Sequence, residues 1–203
     1  MKIICIGRNY VAHIKELNNA IPTSPIFFLK PDTALLIRNR PFYYPAFSTD
    51  IHYEVELVLK ICKTGKHIQK KFASDYFNEI GIGLDMTARD LQDTAKTKGL
   101  PWAVAKGFDQ SAPVSKFLPK SQFSDLKNIS FHLDLNGTTV QQGNSGLMMY
   151  DFDDIISNIS TFMTLRTGDY IFTGTPAGVG PVTVGDKLEA WIEGEKMLSC
   201  SIK

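Results

Sequence analysis

Short β-type runs separated by turns fill the chain, without the strand–helix–strand rhythm that a doubly wound parallel sheet requires. The runs lie at 2–6, 26–29, 53–62, 80–84, 129–135, 170–173, 187–192 and 197–202, each rich in β-branched or aromatic residues. Two helices are well signalled. Thr87 reads as an N-cap with Asp90 three residues on, and Gly99 and Pro101 stop that helix. Asp151 begins the second, with an apolar stripe of Phe152, Ile155, Ile156, Ile159, Phe162 and Met163, and Gly168 ends it. A weaker helical stretch spans 9–17. Many strands and few helices predict an α+β fold.

Length and charge narrow the classes of function. The 203 residues suit one domain, and a 43% hydrophobic, 21% charged composition fits neither disorder nor a fibrous repeat. A net charge of +1 leaves no electrostatic footprint for nucleic acid or an acidic membrane surface. Cys5, Cys62 and Cys200 match no metal or redox spacing and are expected as buried thiols in a reducing compartment. The opening Ile3-Ile4-Cys5-Ile6 is too short for a signal peptide, and nothing approaches a membrane span. A cytoplasmic protein is expected. No P-loop, G-x-G-x-x-G, G-x-S-x-G or H-E-x-x-H motif is present, and Gly81-Ile82-Gly83 reads as close strand packing.

Carboxylates carry the chemical signal. Along a strand, Val55, Leu57, Leu59 and Ile61 share one face, so Glu54 and Glu56 share the other, about 7 Å apart. An exposed face with two solvated glutamates fits that pattern equally well. Asp85, which closes the apolar run at 80–84, shifts the balance. Three carboxylates without histidine or cysteine partners suit a hard, oxygen-preferring ion, Mg²⁺ or Mn²⁺. His13 and Glu16, spaced i, i+3, can form a dyad on one helical face. Lys106 sits among small and apolar residues and could stabilise an anion. The Gly-rich loop at 173–180 could bind a carboxylate through its backbone N–H groups.

Taken together these residues resemble a known family. Gly7-Arg8-Asn9-Tyr10-Val11-Ala12-His13-Ile14-Lys15-Glu16, His52-Tyr53-Glu54-Val55-Glu56-Leu57, Asp85-Met86-Thr87-Ala88-Arg89-Asp90-Leu91-Gln92 and Ala105-Lys106-Gly107-Phe108-Asp109 carry the likeness. Leu135-Asn136-Gly137 and the stretch 168–180 continue it in the same order. The chain resembles the fumarylacetoacetate hydrolase superfamily, and within it the single-domain acylpyruvase and oxaloacetate decarboxylase branch. Two departures, Leu84 in place of Asn and Val140 in place of Arg, bear on substrate preference more than on reaction type.

The resemblance implies a mixed β-sheet roll with a few short helices, a divalent metal on Glu54, Glu56 and Asp85, and a homodimer. It also implies a mobile lid over about 8–22 carrying His13 and Glu16. Catalytic roles fall to His13, Glu16, Gln92 and Lys106, and substrate contacts to Arg8, Tyr10 and Thr175. The reaction expected is hydrolysis of acylpyruvate or fumarylpyruvate at a C–C bond, with oxaloacetate decarboxylation as a companion activity. The alternatives are an isomerase or tautomerase of unsaturated 2-oxo-dicarboxylates and a non-catalytic metal-binding homologue.

Overall fold

The run at 53–62 divides at Glu54 into two strands, Ile51–Tyr53 and Val55–Ile61. The chain leaves a small sheet at Tyr53 and enters a large one at Val55. The computed structural model describes residues 1–16 and 20–203. Leu17 of the expected first helix, and 17–19 of the expected lid, lie outside them.

The large sheet has six strands in the order Ile26–Lys30, Ile3–Gly7, Tyr170–Phe172, Val55–Ile61, Phe77–Leu84 and Leu118–Pro119. It is mixed: Ile3–Gly7 runs parallel to Tyr170–Phe172, and every other pair is antiparallel. A four-stranded antiparallel sheet stacks Thr138–Asn144, Ser130–Leu135, Lys187–Ile192 and Glu195–Ser201. Gly180–Pro181, Ile51–Tyr53 and Thr87–Ala88 make the small sheet. The architecture is α+β, as expected.

Both faces of the central sheet are covered. Leu57, Leu59, Ile80 and Ile82 pack with Leu133, Leu188, Ile155 and Ile159 on one side. Cys5, Val58 and Phe172 pack with Ala112 and Val114 on the other. A strand buried on both faces has no solvated side, so the exposed-glutamate reading fails: Glu54 is 5% exposed and Glu56 1%. Gly83 stands where it does because a Cβ would meet the Phe172 ring at 2.6 Å. Of the three free cysteines, Cys5 and Cys200 are buried but Cys62 is half-buried, which corrects one expectation. Among the described residues no helix is long and apolar enough to cross a membrane.

The helices differ from expectation at their ends. Thr87 is not an N-cap: it lies in a strand, and the helix runs Arg89–Lys98 from Ala88, which makes no side-chain cap. The Thr87 hydroxyl is spent elsewhere, donating to the Asp85 carbonyl at 2.9 Å. Gly99 does close the helix in the left-handed conformation, φ 65°. Asp151 caps the Phe152–Phe162 helix, accepting from the Asp154 amide at 2.8 Å. That helix ends at Phe162 rather than near Gly168, because Met163 turns extended and Leu165 bridges to Gly65. Phe162, expected within the stripe, is exposed. Removing the cap by Asp151→Ala should cost about 1 kcal/mol. For a chain of this size that lowers Tm by about 2–4 °C, measurable by calorimetry.

Candidate active site

Antiparallel register brings the carboxylates together. Val55 faces Leu84 and Glu56 faces Gly83, so the next pair outward is Glu54 and Asp85. Their backbones stay joined, the Asp85 amide donating to the Glu54 carbonyl at 2.8 Å. One oxygen from each of Glu54, Glu56 and Asp85 lies within 4.8 Å of the others, and all three residues are buried.

Cations surround the triad. Lys106 Nζ donates to Glu54 Oε2 and Asp85 Oδ2, both at 2.8 Å, and to Thr87 Oγ1 at 2.5 Å. Arg89 Nη2 lies 2.5 Å from Glu54 Oε1, while its Nη1 donates to Gln92 Oε1 at 2.6 Å. Lys30, on the last residue of the Ile26–Lys30 strand, sends Nζ to within 2.8 Å of Asp85 Oδ1. It also donates to the carbonyls of Met86, Lys106 and Ser111 and to Ser111 Oγ. Its three protons are shared among five close acceptors, and among the described residues no donor is aimed at Asp85 Oδ1, although the Lys30 charge lies beside it.

The electrostatics single out Glu56. Burial pushes the Glu54 carboxyl up, but Lys106 and Arg89 overcome it and hold Glu54 well below the usual carboxylate range. Burial also pushes Glu56 up, and there the neighbouring charges of Asp85 and Glu54 add to it. The Gly174 amide, donating to Glu56 Oε2 at 2.6 Å, offsets only part of that. Burial lowers the Lys106 pKa, but Asp85 and Glu54 reverse this and hold its ammonium charged. Among the described residues Asp85 Oδ1 has a cation nearby but no aimed donor, and Glu56 beside it has no ion pair, an arrangement that fits a divalent ion bound by oxygen.

His13 and Glu16 lie on the short helix Val11–Glu16. His13 Nδ1 is 3.1 Å from Glu16 Oε2, and Glu16 Oε1 accepts from the Gly178 amide at 3.0 Å. With Nδ1 engaged by the carboxylate, Nε2 is the nitrogen left for proton transfer. The start of this helix is fastened by Asn9, fully buried, whose side chain bonds the backbones of Tyr150 and Thr173. Gly174 beside it has φ 101°, and a Cβ there would sit 2.6 Å from the Asn9 Cβ. The Gly-rich loop does bind carboxylates through N–H groups, but they are the protein's own Glu56 and Glu16.

One cleft of about 440 Å³, counted out to its open mouth, is lined by Glu54, Glu56, Asp85, His13, Lys106, Gln92, Arg8 and Thr175. Thr175 Oγ1 accepts from Gln141 Nε2 at 2.9 Å, which leaves its own hydrogen free to donate. Glu16 reaches the cleft through His13 alone. Tyr10 does not line it: the ring packs edge-on against Phe131, and its buried hydroxyl has no hydrogen-bond partner among the described residues. Burial, then the nearby Glu56 charge, push that hydroxyl far above the ordinary tyrosine range. Arg89, Lys30, Lys96, Phe28 and Trp102 were not singled out from sequence as site residues. Arg89 was readable from its i, i+3 spacing to Gln92; Lys30, ending a β run before Pro31, gives no such signal.

The family described as Fumarylacetoacetate (FAA) hydrolase C-terminal matches residues 2–202. The chain belongs to this family. Among FAA hydrolase relatives, the mitochondrial oxaloacetate decarboxylase of Dictyostelium discoideum is 46% identical over 194 residues, 95% of this chain and 89% of that protein. The mitochondrial oxaloacetate tautomerase FAHD1 of Bos taurus is 44% identical over 192 residues, 95% of this chain and 87% of that one. A crystal structure of fumarylpyruvate hydrolase from Pseudomonas aeruginosa, in complex with Mn²⁺ and pyruvate, matches with a TM-score of 0.94 at 35% identity. It spans 100% of this chain and 89% of its own. The mixed sheet roll is thus the FAA hydrolase fold, in a family of enzymes.

Proposed function

We propose that this chain is a divalent-metal-dependent enzyme of short 2-oxo acids that hydrolyses acylpyruvates or fumarylpyruvate and also decarboxylates oxaloacetate. The observation that carries the reading is the buried carboxylate triad in one cleft with the His13–Glu16 pair. Glu54, Glu56 and Asp85 would hold Mg²⁺ or Mn²⁺, which supplies a Lewis-acid charge for the carboxylate and keto oxygens of the substrate. His13 Nε2 takes a proton from water, and Glu16 stabilises the imidazolium that results. The hydroxide adds to the distal carbonyl, and the Gln92 amide, held by Arg89 through its oxygen, donates to the oxyanion. The C–C bond then breaks with its electron pair on the pyruvate fragment, whose charge Lys106 offsets before a proton returns. Thr175 and Arg8 contact the substrate. Tyr10, assigned there by family likeness, supports the floor near Glu56 in this reading.

Decarboxylation of oxaloacetate leaves the same pyruvate fragment and needs no water. A second reading, keto–enol tautomerisation of oxaloacetate, is favoured by the 44% identical FAHD1 relative, itself an oxaloacetate tautomerase. Assays with Mg²⁺ or Mn²⁺ on acetylpyruvate, fumarylpyruvate and oxaloacetate, following hydrolysis, CO₂ release and enol decay, test the proposal. Inactivity on all three overturns it.

His13→Ala divides the reactions. General-base assistance is worth roughly 10²–10⁴-fold, so acylpyruvate hydrolysis should fall by that factor while decarboxylation falls less. Equal losses in kcat/KM would assign His13 to substrate placement instead. Residues 1–203 act as one catalytic domain, a homodimer in which the described part of the expected lid, with His13 and Glu16, closes over the cleft. Light scattering checks the dimer, and hydrogen exchange with and without pyruvate checks the closure. We place the protein in the cytoplasm, where reducing conditions suit its free cysteines; the two oxaloacetate enzymes above are mitochondrial, and cell fractionation tests the difference.

A further inference from the structure

The floor of the cleft is balanced in charge, and its mouth is not. Glu54, Glu56 and Asp85 face Arg89, Lys106 and Lys30 below. Higher up, Arg89, Gln92 and Lys96 follow i, i+3, i+7 on the Arg89–Lys98 helix, so they share one face, and all three line the cleft. Exposure orders them by depth: the Arg89 side chain is 9% exposed and that of Lys96 30%. Among the described residues the one charge partner of Lys96 is Asp93, at 3.3 Å and itself 63% exposed, a contact worth little. Arg8 brings a second cation to the cleft from the turn after Ile3–Gly7, held at φ 60°, with no ion pair among the described residues. The Phe28 and Trp102 rings, 5.9 Å apart, also line this cleft.

A 2-oxo monocarboxylate seated over the triad leaves Lys96 and Arg8 unmatched. A second carboxylate at the far end of the substrate matches them. We propose that Lys96, with Arg8, selects 2-oxo acids carrying a distal carboxylate, which makes it a specificity-determining residue. This rests on the reading above that the triad end receives the 2-oxo acid head. The flexible Lys96 stem lets one ammonium meet carboxylates on chains of different length.

The test compares dissociation constants of the Mg²⁺-loaded protein for oxamate and N-oxalylglycine by calorimetry. The two share an oxo-carboxylate head, and only the second carries a distal carboxylate. Wild type should prefer N-oxalylglycine, and that preference should shrink as salt is raised. Lys96→Met should weaken N-oxalylglycine by about five- to tenfold and leave oxamate within about twofold, with Lys96→Arg retaining the preference. In turnover, Lys96→Met should raise KM for oxaloacetate and leave acetylpyruvate unchanged. Equal weakening of both probes by Lys96→Met, or of neither, overturns the proposal. Wild type binding oxamate without preferring N-oxalylglycine also overturns it while leaving the 2-oxo acid reading intact. Wild type binding neither probe, together with inactivity on every substrate, overturns that reading as well.

Discussion

Glu56→Gln should abolish turnover and at the same time raise the melting temperature of the metal-free protein at neutral pH. Loss of a metal ligand removes several kcal/mol of charge stabilisation, about 10³-fold or more in rate. The stability effect has the opposite sign. Burial and the adjacent Asp85 and Glu54 charges raise the folded-state pKa of Glu56, so its ionised form opposes folding. That penalty is absent below the ordinary carboxylate pKa, grows as pH rises towards the raised value, and is constant above it. The difference in Tm between Glu56→Gln and wild type, both stripped with chelator, should therefore widen from acid to neutral pH. Added Mg²⁺ should raise the wild-type Tm and leave the variant unmoved. A variant that melts lower than wild type at neutral pH and still responds to Mg²⁺ would remove Glu56 from the metal site.

Lys30→Met should be the most destabilising change near the cleft. The lysine side chain is 0% exposed, and its ammonium stands against Asp85 and the carbonyls of Met86, Lys106 and Ser111. Methionine fills much of the same volume but leaves a buried carboxylate short of one cation and those carbonyls short of donors. Breaking a buried pair from one side costs about 3–5 kcal/mol. At about 2–4 °C per kcal/mol for a chain of this length, Tm falls by about 6–20 °C. A loss under about 1 kcal/mol in urea titration would mean that Lys106 alone satisfies Asp85.

Legibility followed the range of the interactions. Side-chain alternation is local, so Glu54 and Glu56 could be paired from sequence, and helix spacing did the same for His13 and Glu16. Burial was not local: the far face of Val55–Ile61 is covered by Ala112, Val114 and Phe172, distant in sequence, and the alternating pattern therefore looked half-solvated. Thr87 misled for a related reason. Its hydroxyl suits a cap, but Lys106 and the Asp85 carbonyl occupy it. The Phe152–Phe162 helix stops early because Leu165 finds Gly65 about a hundred residues back. Lys30 was the least legible, since a lysine after Ile26-Phe27-Phe28-Leu29 reads as the polar end of a strand. Only the folded chain supplies its partners.

The hairpin of Val55–Ile61 and Phe77–Leu84 keeps its carboxylates at one end and its connecting segment, 62–76, at the other. Seven strand residues at about 3.3 Å each put about 20 Å between them. The two ends are therefore free to diverge independently. A single residue inserted into Val55–Ile61 beyond Glu56 would slide Glu54 away from Asp85 and turn Glu56 to the opposite face. One inserted into Phe77–Leu84 would displace Asp85 instead. Gly65, Ile68 and Ala73 tie the segment 62–76 to Leu165 and the core. An insertion that leaves the pairing untouched therefore belongs at the exposed Lys63-Thr64, where an engineer can graft a peptide or reporter far from the chemistry.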